Sequence, residues 1–360
     1  MAIRNALFSI LLGALLIPCT LSYAATYDVL KLPAAPTEFA DKAALFVVKK
    51  FGDRYYAAGA RGHIIYSDDG GKTWTQAAVP VRSTLLDIDF VDDKQGWAVG
   101  HEGAILHTSD GGATWELQYD GLRYGAEGLA YYTKLAEENP DNEAYPALVA
   151  EMEFAIEQGA DKPFFGVNFY DEKRGHAAGA YGMIVETTDG GASWEPRLHN
   201  MDNDNFNHIF DFAPLSGNRF FLAGEAGLLM IGDPNNDIAA RVTSVPWEGS
   251  FFAAVDAADG AIVMGGLRGR MFRTADEGQT WTVVEKPETS AIVTLTRLAD
   301  GTLVAGGAGG EILLSKDNGN VFQASAASKT VGPIVDMTQG EGDTLLVVGP
   351  RGIKSVTLAQ

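Results

Sequence analysis

The 360-residue chain holds one cysteine, Cys19. Beyond that position neither a disulfide framework nor a thiolate nucleophile or metal ligand is possible. Positive charge is scarce: 27 lysines and arginines stand against 47 aspartates and glutamates, a formal net charge of -20. Phosphate binding depends on lysine and arginine, so a nucleic-acid partner is not expected, and solubility is the plainest use of the acidity. Long apolar runs are missing too. The run from Ala6 to Ile17 falls short of the roughly 20 residues a membrane helix needs, so the chain is not expected to span a bilayer. His63, His101, His107, His176, His199 and His208 lack ligand spacing. Asp202 to Asn205 and Asp233 to Asp237 look like pieces of calcium loops, but neither runs on to the glycine and glutamate such a loop requires. No metal and no cofactor is expected.

Residues 1 to 25 read as a secretory signal peptide. Arg4 gives a short positive start, Ala6 to Ile17 the apolar stretch, and Ser22-Tyr23-Ala24-Ala25 small residues for cleavage. Pro18 before Cys19 is a poor match to the small residue that lipid attachment favours. The expected location is periplasmic, or otherwise exported.

What the chain has in quantity is glycine, 42 residues, set to a period. Gly96-Trp97-Ala98-Val99-Gly100-His101-Glu102-Gly103 reads as a strand ending in a Gly-x-x-Gly turn. A second strand follows to Thr108, and Ser109-Asp110-Gly111-Gly112-Ala113-Thr114-Trp115 closes the unit as a hairpin. The first turn glycine recurs at Gly59, Gly100, Gly179, Gly224, Gly266, Gly307 and Gly349, a period near 42 residues with one interval of 79. Seven such units and one insertion account for nearly all of residues 26–360. The fold class is therefore all-β, a seven-bladed β-propeller with a helical hairpin inserted between blades two and three. Blade seven offers only three strands, Ile334 to Met337, Thr344 to Val348 and Ile353 to Leu358, so Tyr27 to Leu32 is expected to supply the fourth and close the ring.

The closing hairpins have an internal logic. In Ser67-Asp68-Asp69-Gly70-Gly71-Lys72-Thr73-Trp74 the Asp69 carboxylate can accept backbone N–H groups across the turn while Trp74 packs between sheets. Asp69, Asp110, Asp189, Asp276 and Asp317, with Trp74, Trp115, Trp194 and Trp281, are assigned to structure. The insertion, 117–164, shows helical spacing over Gly125 to Glu138 and Pro146 to Gln158, with ten acidic and three basic residues. Because it leaves and rejoins at one loop, deleting Leu122 to Ala160 is expected to spare the propeller. Its tyrosines, Tyr131 and Tyr132 among them, either pack on the propeller or belong to a partner-binding lid.

Strand order in a blade puts the Gly-x-x-Gly turns on the same face as the links between blades, opposite the Asp boxes. The turn residues Arg61, His101, Tyr181, Glu225, Arg268 and Arg351 crowd that face with the insertion. Arginine suits bidentate contact with carboxylates and interface hot spots. Arg61, His101, Tyr181, Arg268 and Arg351, with Tyr131 and Tyr132, are the candidate partner-binding residues.

These seven turns with their Thr-x-Asp-x-Gly-x-Thr-Trp hairpins resemble the photosystem II stability and assembly factor propellers of chloroplasts and cyanobacteria. The resemblance covers nearly the whole chain after the signal, apart from the acidic insertion. It implies a non-catalytic scaffold on the lumenal or periplasmic side that helps assemble a membrane complex, with an arginine-rich patch for which Arg61, Arg268 and Arg351 are the positional matches. Such propellers also occur in bacteria without photosynthesis, so the expected partner is a membrane protein or complex, photosystem-like or an envelope transporter. The alternative is an Asp-box glycoside hydrolase of the sialidase type, with an arginine trio around a tyrosine–glutamate pair. The Arg-Ile-Pro segment of sialidases is absent, and Pro80-Val81-Arg82 does not replace it. No catalytic residue is assigned.

Overall fold

A computed structural model describes residues 28–215, 219–233, 240–242, 247–329 and 332–358. The signal peptide lies outside them, as does most of Gly232 to Asp237. Among the described residues seven antiparallel sheets follow one another, six with four strands in sequence order and one with three. Blade one is Leu45–Phe51, Arg54–Gly59, Ile64–Ser67 and Thr75–Gln76. The inner strands of the next five blades are Leu85–Phe90, Phe164–Phe169, Ile209–Leu215, Phe251–Asp256 and Ile292–Arg297, and Asp336–Gln339 opens blade seven. Second strands such as Gly96–Gly100 and Leu303–Gly307 are buried at every position. Sheets stack against both of their sides, which is why they read as unbroken small and apolar runs.

The inner strands of blades one to six each carry a bulge at their second residue. Pairing jumps from Leu45 to Val47, from Ile209 to Asp211 and from Phe251 to Ala253. The skipped residue is turned towards the axis. Phe46, Leu86, Phe165, Phe210, Phe252 and Val293 thus join Val335 around a central cavity of ≈ 330 Å³. Below this collar the carboxylates of Asp87, Asp211 and Asp336 bond backbone N–H groups of the next blade: Val167 at 3.0 Å, Ala254 at 2.8 Å and Val48 at 2.9 Å. These bonds tie inner strands that no sheet joins.

The ring does not close as expected. Val29–Lys31 is a single 3-10 turn capped by Asp28, not part of a strand. Beyond it the chain bonds to the link between blades one and two, with Ala34 N–H donating to Val79 O and Arg82 N–H to Val29 O. Pro33 and Pro36 each lack the N–H a ladder needs, which disfavours a paired strand here. Among the described residues blade seven has three strands and closes by packing: Leu346 and Val348 bury among Val48, Tyr55 and Ile65 of blade one. The Asp336 bond to Val48 fastens the same seam.

The insertion forms α1, Gly121–Glu138, and α2, Tyr145–Gln158. Helix α1 starts four residues earlier than its apolar spacing suggests, because the Asp120 carboxylate caps Leu122 and Arg123 N–H. At Gly128 a β-carbon would lie 2.4 Å from the Met152 sulfur, so glycine there lets the two helices approach closely. Tyr124, Tyr132, Leu148, Met152 and Ala155 share one buried cluster with Tyr119, Phe164 and Leu198 of the propeller. The insertion is therefore part of the core between blades two and three. On that ground its deletion is expected to destabilise the propeller rather than spare it.

Candidate partner-binding face

The Gly-x-x-Gly turns are built by close approach. A β-carbon at Gly59 would sit 2.2 Å from Ala44 O, so the first glycine is pressed against the preceding link. The third turn residue adopts positive φ at Arg61, Glu102, Tyr181, Ala226 and Arg268, between 50° and 60°. That conformation points the side chain of the third position off the tip. It also sets the register: Arg61, Tyr181 and Arg268 are equivalent, whereas His101 and Glu225 stand one position earlier. At blades two and four the equivalent residues are Glu102 and Ala226.

Arg61, Arg268 and Arg351 are all exposed. Among the described residues none of the three has a side-chain hydrogen bond or an ion pair. They occupy the turns of blades five, seven and one, with Gly309 at the blade-six turn between Arg268 and Arg351. This is an arc along the rim, not a trio gathered around a tyrosine–glutamate pair.

Across the ring the face is aromatic. Tyr181 is 53% exposed. Its N–H bonds His208 Nδ1 at 2.7 Å, and the two rings stand 4.8 Å apart. His101 is exposed at the neighbouring turn. Tyr131 is half-buried, its hydroxyl accepting from Arg197 at 3.3 Å. Tyr132 is a correction: it is fully buried, and its hydroxyl accepts the Leu198 N–H at 3.0 Å. It anchors α1 and cannot meet a partner. Sequence reasoning also missed Lys162, Glu151 and Phe154 on this side, because one basic residue in an acidic helical segment gives no signal of burial. The phenylalanine collar did leave one: paired apolar residues at Phe164-Phe165, Ile209-Phe210 and Phe251-Phe252 break strand alternation.

The opposite face is closed on itself. Asp69 and Asp110 each accept two backbone N–H bonds, from Lys72 and Thr73 and from Ala113 and Thr114, at 2.9 to 3.0 Å. Asp189, Asp276 and Asp317 accept the N–H of Ser193, Thr280 and Val321. Hydrogen bonds from Thr73 hold the Asp69 carboxyl well below its ordinary pKa. Trp74 and Trp115 donate to Gly71 O and Gly112 O, whereas the indole N–H groups of Trp194 and Trp281 have no partner among the described residues. Among these residues no group of three or more His, Cys, Asp or Glu is placed to hold a metal. Among the described residues no helix is long and apolar enough to cross a membrane.

Known proteins agree with this architecture. The photosynthesis system II assembly factor YCF48 family matches residues 72–135 and 151–319, and the BNR/Asp-box repeat matches 65–76, the first Asp-box hairpin. The photosystem II assembly lipoprotein Ycf48 of Synechococcus sp. (strain CC9902) is 30% identical over 136 residues. That match covers 36% of this chain and 39% of the relative, so the chain spans about two fifths of the curated relative's length. Two solved structures share the fold at TM-score 0.63 and 15% identity. YCF48 bound to D1 peptide covers 89% of this chain and 95% of its own, and YCF48 from Cyanidioschyzon merolae covers 90% and 97%. The WD40 propeller domain of Doa1 follows at TM-score 0.61 and 11% identity, covering 93% and 98%. With its family match running through most of the propeller, insertion included in part, the chain belongs to the photosynthesis system II assembly factor YCF48 family.

Proposed function

We propose that this protein is an exported, non-catalytic assembly or stability factor for a membrane protein complex, and that its Gly-x-x-Gly face holds a segment of the partner. The observation that carries the reading is the arc of Arg61, Arg268 and Arg351, three unpaired cations on a chain of net charge -20. An unpaired exposed arginine contributes little to stability, so its value lies in what it meets. The partner segment is acidic or ends in a carboxylate, the chemistry a guanidinium binds in bidentate fashion. A relative bound to D1 peptide supports a peptide segment as the ligand class. The partner is photosystem-like, or an envelope transporter in a host without photosynthesis.

The test is recovery of partners from the native envelope with the parent protein and with Arg61→Glu, Arg268→Glu, Arg351→Glu combined. The reading expects a membrane protein that co-purifies with the parent and is lost from the variant at unchanged melting temperature. Full recovery on the variant overturns it. Hydrolysis of a sialoside substrate by the parent would overturn the non-catalytic part.

A further inference from the structure

The insertion side of the same face carries a second surface, of opposite character to the arginine arc. Phe154 of α2 and Tyr181 of the blade-three turn are 49% and 53% exposed. One buried ammonium, that of Lys162, lies 5.4 Å from the first ring centroid and 5.3 Å from the second. Lys162 is only 6% exposed, and its charge is met by Glu151 at 2.8 Å. A buried ion pair is seldom the most stabilising way to fill such a position. What it does here is tie two solvent-facing rings from different elements to one ammonium by cation–π contact. Rigid, half-exposed aromatics of this kind are the side chains that dominate interfaces.

The rings do not stop there. From Tyr181 the contacts run to His208 at 4.8 Å and from His208 to Phe210 at 5.8 Å. Phe210 meets Phe165 at 5.6 Å and Phe252 at 5.3 Å, at the mouth of the central cavity. An aromatic track thus leads from the outer helix to the axis. Carboxyl groups stand at both of its ends. At the outer end Glu153, Glu157 and Asp161 are exposed, and none is in an ion pair among the described residues. At the inner end Asp87, Asp211 and Asp336 line the cavity with Lys49, which pairs with Asp87 at 2.7 Å.

The geometry points to a docking site for an extended peptide segment of a protein partner in which apolar side chains alternate with lysine or arginine. The apolar side chains lie on the track and the basic ones reach the carboxylates at its ends. Charge complementarity selects this occupant: an acidic segment is repelled by Glu153, Glu157 and Asp161 at the exposed outer end, and an anionic lipid surface likewise. The site uses none of the arginines of the arc, so either surface can fail without the other.

The experiment is calorimetric titration of the full chain, at low salt, with a short capped peptide alternating lysine with leucine and phenylalanine. Its counterpart with glutamate in place of lysine is the control. The lysine peptide binds and the glutamate peptide does not. Phe154→Ala with Tyr181→Ala weakens binding by at least about tenfold, as loss of paired aromatic anchors does. Glu153→Lys with Glu157→Lys weakens it as well, and the arginine triple variant leaves it unchanged. Both changed pairs are exposed, and circular dichroism confirms that the variants fold. Absence of binding at millimolar peptide, equal binding of the two peptides, or undiminished binding to the aromatic variant each overturns the proposal. So does Phe154- and Tyr181-dependent binding to anionic phospholipid vesicles that exceeds binding to the peptide, because the surface would then be a membrane contact.

Discussion

On one face of the propeller the Asp110 carboxylate accepts four hydrogen bonds, from Thr108, Ala113 and twice from Thr114. On the other, Arg61, Arg268 and Arg351 end in solvent with none. The two kinds of turn stand at opposite ends of the third strand of a blade, so the difference is in what the side chains are left to do. An Asp-box side chain is consumed by its own hairpin. A Gly-x-x-Gly turn satisfies itself through backbone and glycine, as when Ala60 N–H donates to Ala44 O, and so leaves its third side chain uncommitted. Seven repeats of one design thereby separate a face that stabilises from a face that can bind.

The insertion breaks this division most sharply, since it sits on the binding face yet belongs to the core. Removing Leu122 to Ala160 uncovers Tyr119, Phe164 and Leu198, now 1%, 0% and 8% exposed. At roughly 1.5 to 3 kcal/mol for each large apolar side chain exposed, the loss is about 4 to 9 kcal/mol. That rivals the whole net stability of a typical domain, roughly 5 to 15 kcal/mol. The deletion variant should lose cooperative thermal unfolding, or fail to fold, by circular dichroism. A cooperative transition within a few degrees of the parent would return the helices to the status of an appendage.

Next in size is reversal of the arginine arc. Arg61→Glu, Arg268→Glu and Arg351→Glu together should reduce partner recovery to background, and added salt should weaken the parent complex, with screening over about 8 to 10 Å. The melting temperature should stay within about 2 °C, because exposed charges without partners carry little stability. A fall in stability with binding intact would place the arginines in the fold instead.

The repeat and its blade count were legible because period, turn glycines and Asp-box hairpins are local and recur. Three features were not. The N-terminal segment was assigned by what blade seven lacked, yet Asp28 caps it as a 3-10 turn, and Ala34 N–H and Val29 O bond it to the link between blades one and two. Tyr131 and Tyr132 are neighbours in sequence, and only the helix phase set by the Asp120 cap decides that the second is buried. The aromatic track needs residues from α2 and three blades, so no window of sequence contains it. The register of the turns was partly misread for a similar reason: His101 looks like the counterpart of Arg61 until the positive φ falls on Glu102.

A smaller effect tests the Asp-box side of the comparison. Asp110→Ala leaves the N–H groups of Ala113 and Thr114 without their acceptor. Those bonds are exposed to water, so the cost should fall towards the lower end of the roughly 1 to 3 kcal/mol a buried pair would lose, read from denaturant unfolding. Partner recovery should be unchanged. Lost binding at full stability would show that the Asp-box face also binds.

The smallest effect lies between the faces, in the cavity. The Asp211 carboxyl is pushed up to about 7, chiefly by burial, with Asp87 and Asp336 adding repulsion and Lys49 and the Ala254 N–H opposing it. Its unfolded value is near 3.9, so the folded state holds more protons between about pH 4 and 7, and this group removes stability as pH rises through that window. His176, lowered to about 3 by burial, and His63, also lowered, act in the opposite sense below pH 6.5. A bare pH profile would therefore mix the two contributions. Asp211→Asn separates them, because the amide oxygen can still accept the Ala254 N–H while the charge is gone. Compared with the parent at each pH, the variant should be equal near pH 4 and increasingly more stable up to pH 7 and above, by about 1 kcal/mol once the cavity's opening to solvent is allowed for. Melting temperatures measured in parallel from pH 4 to 8 decide it. A constant difference across the range would mean that Asp211 stays ionised in the fold and that the cavity is wetter than its collar of phenylalanines implies.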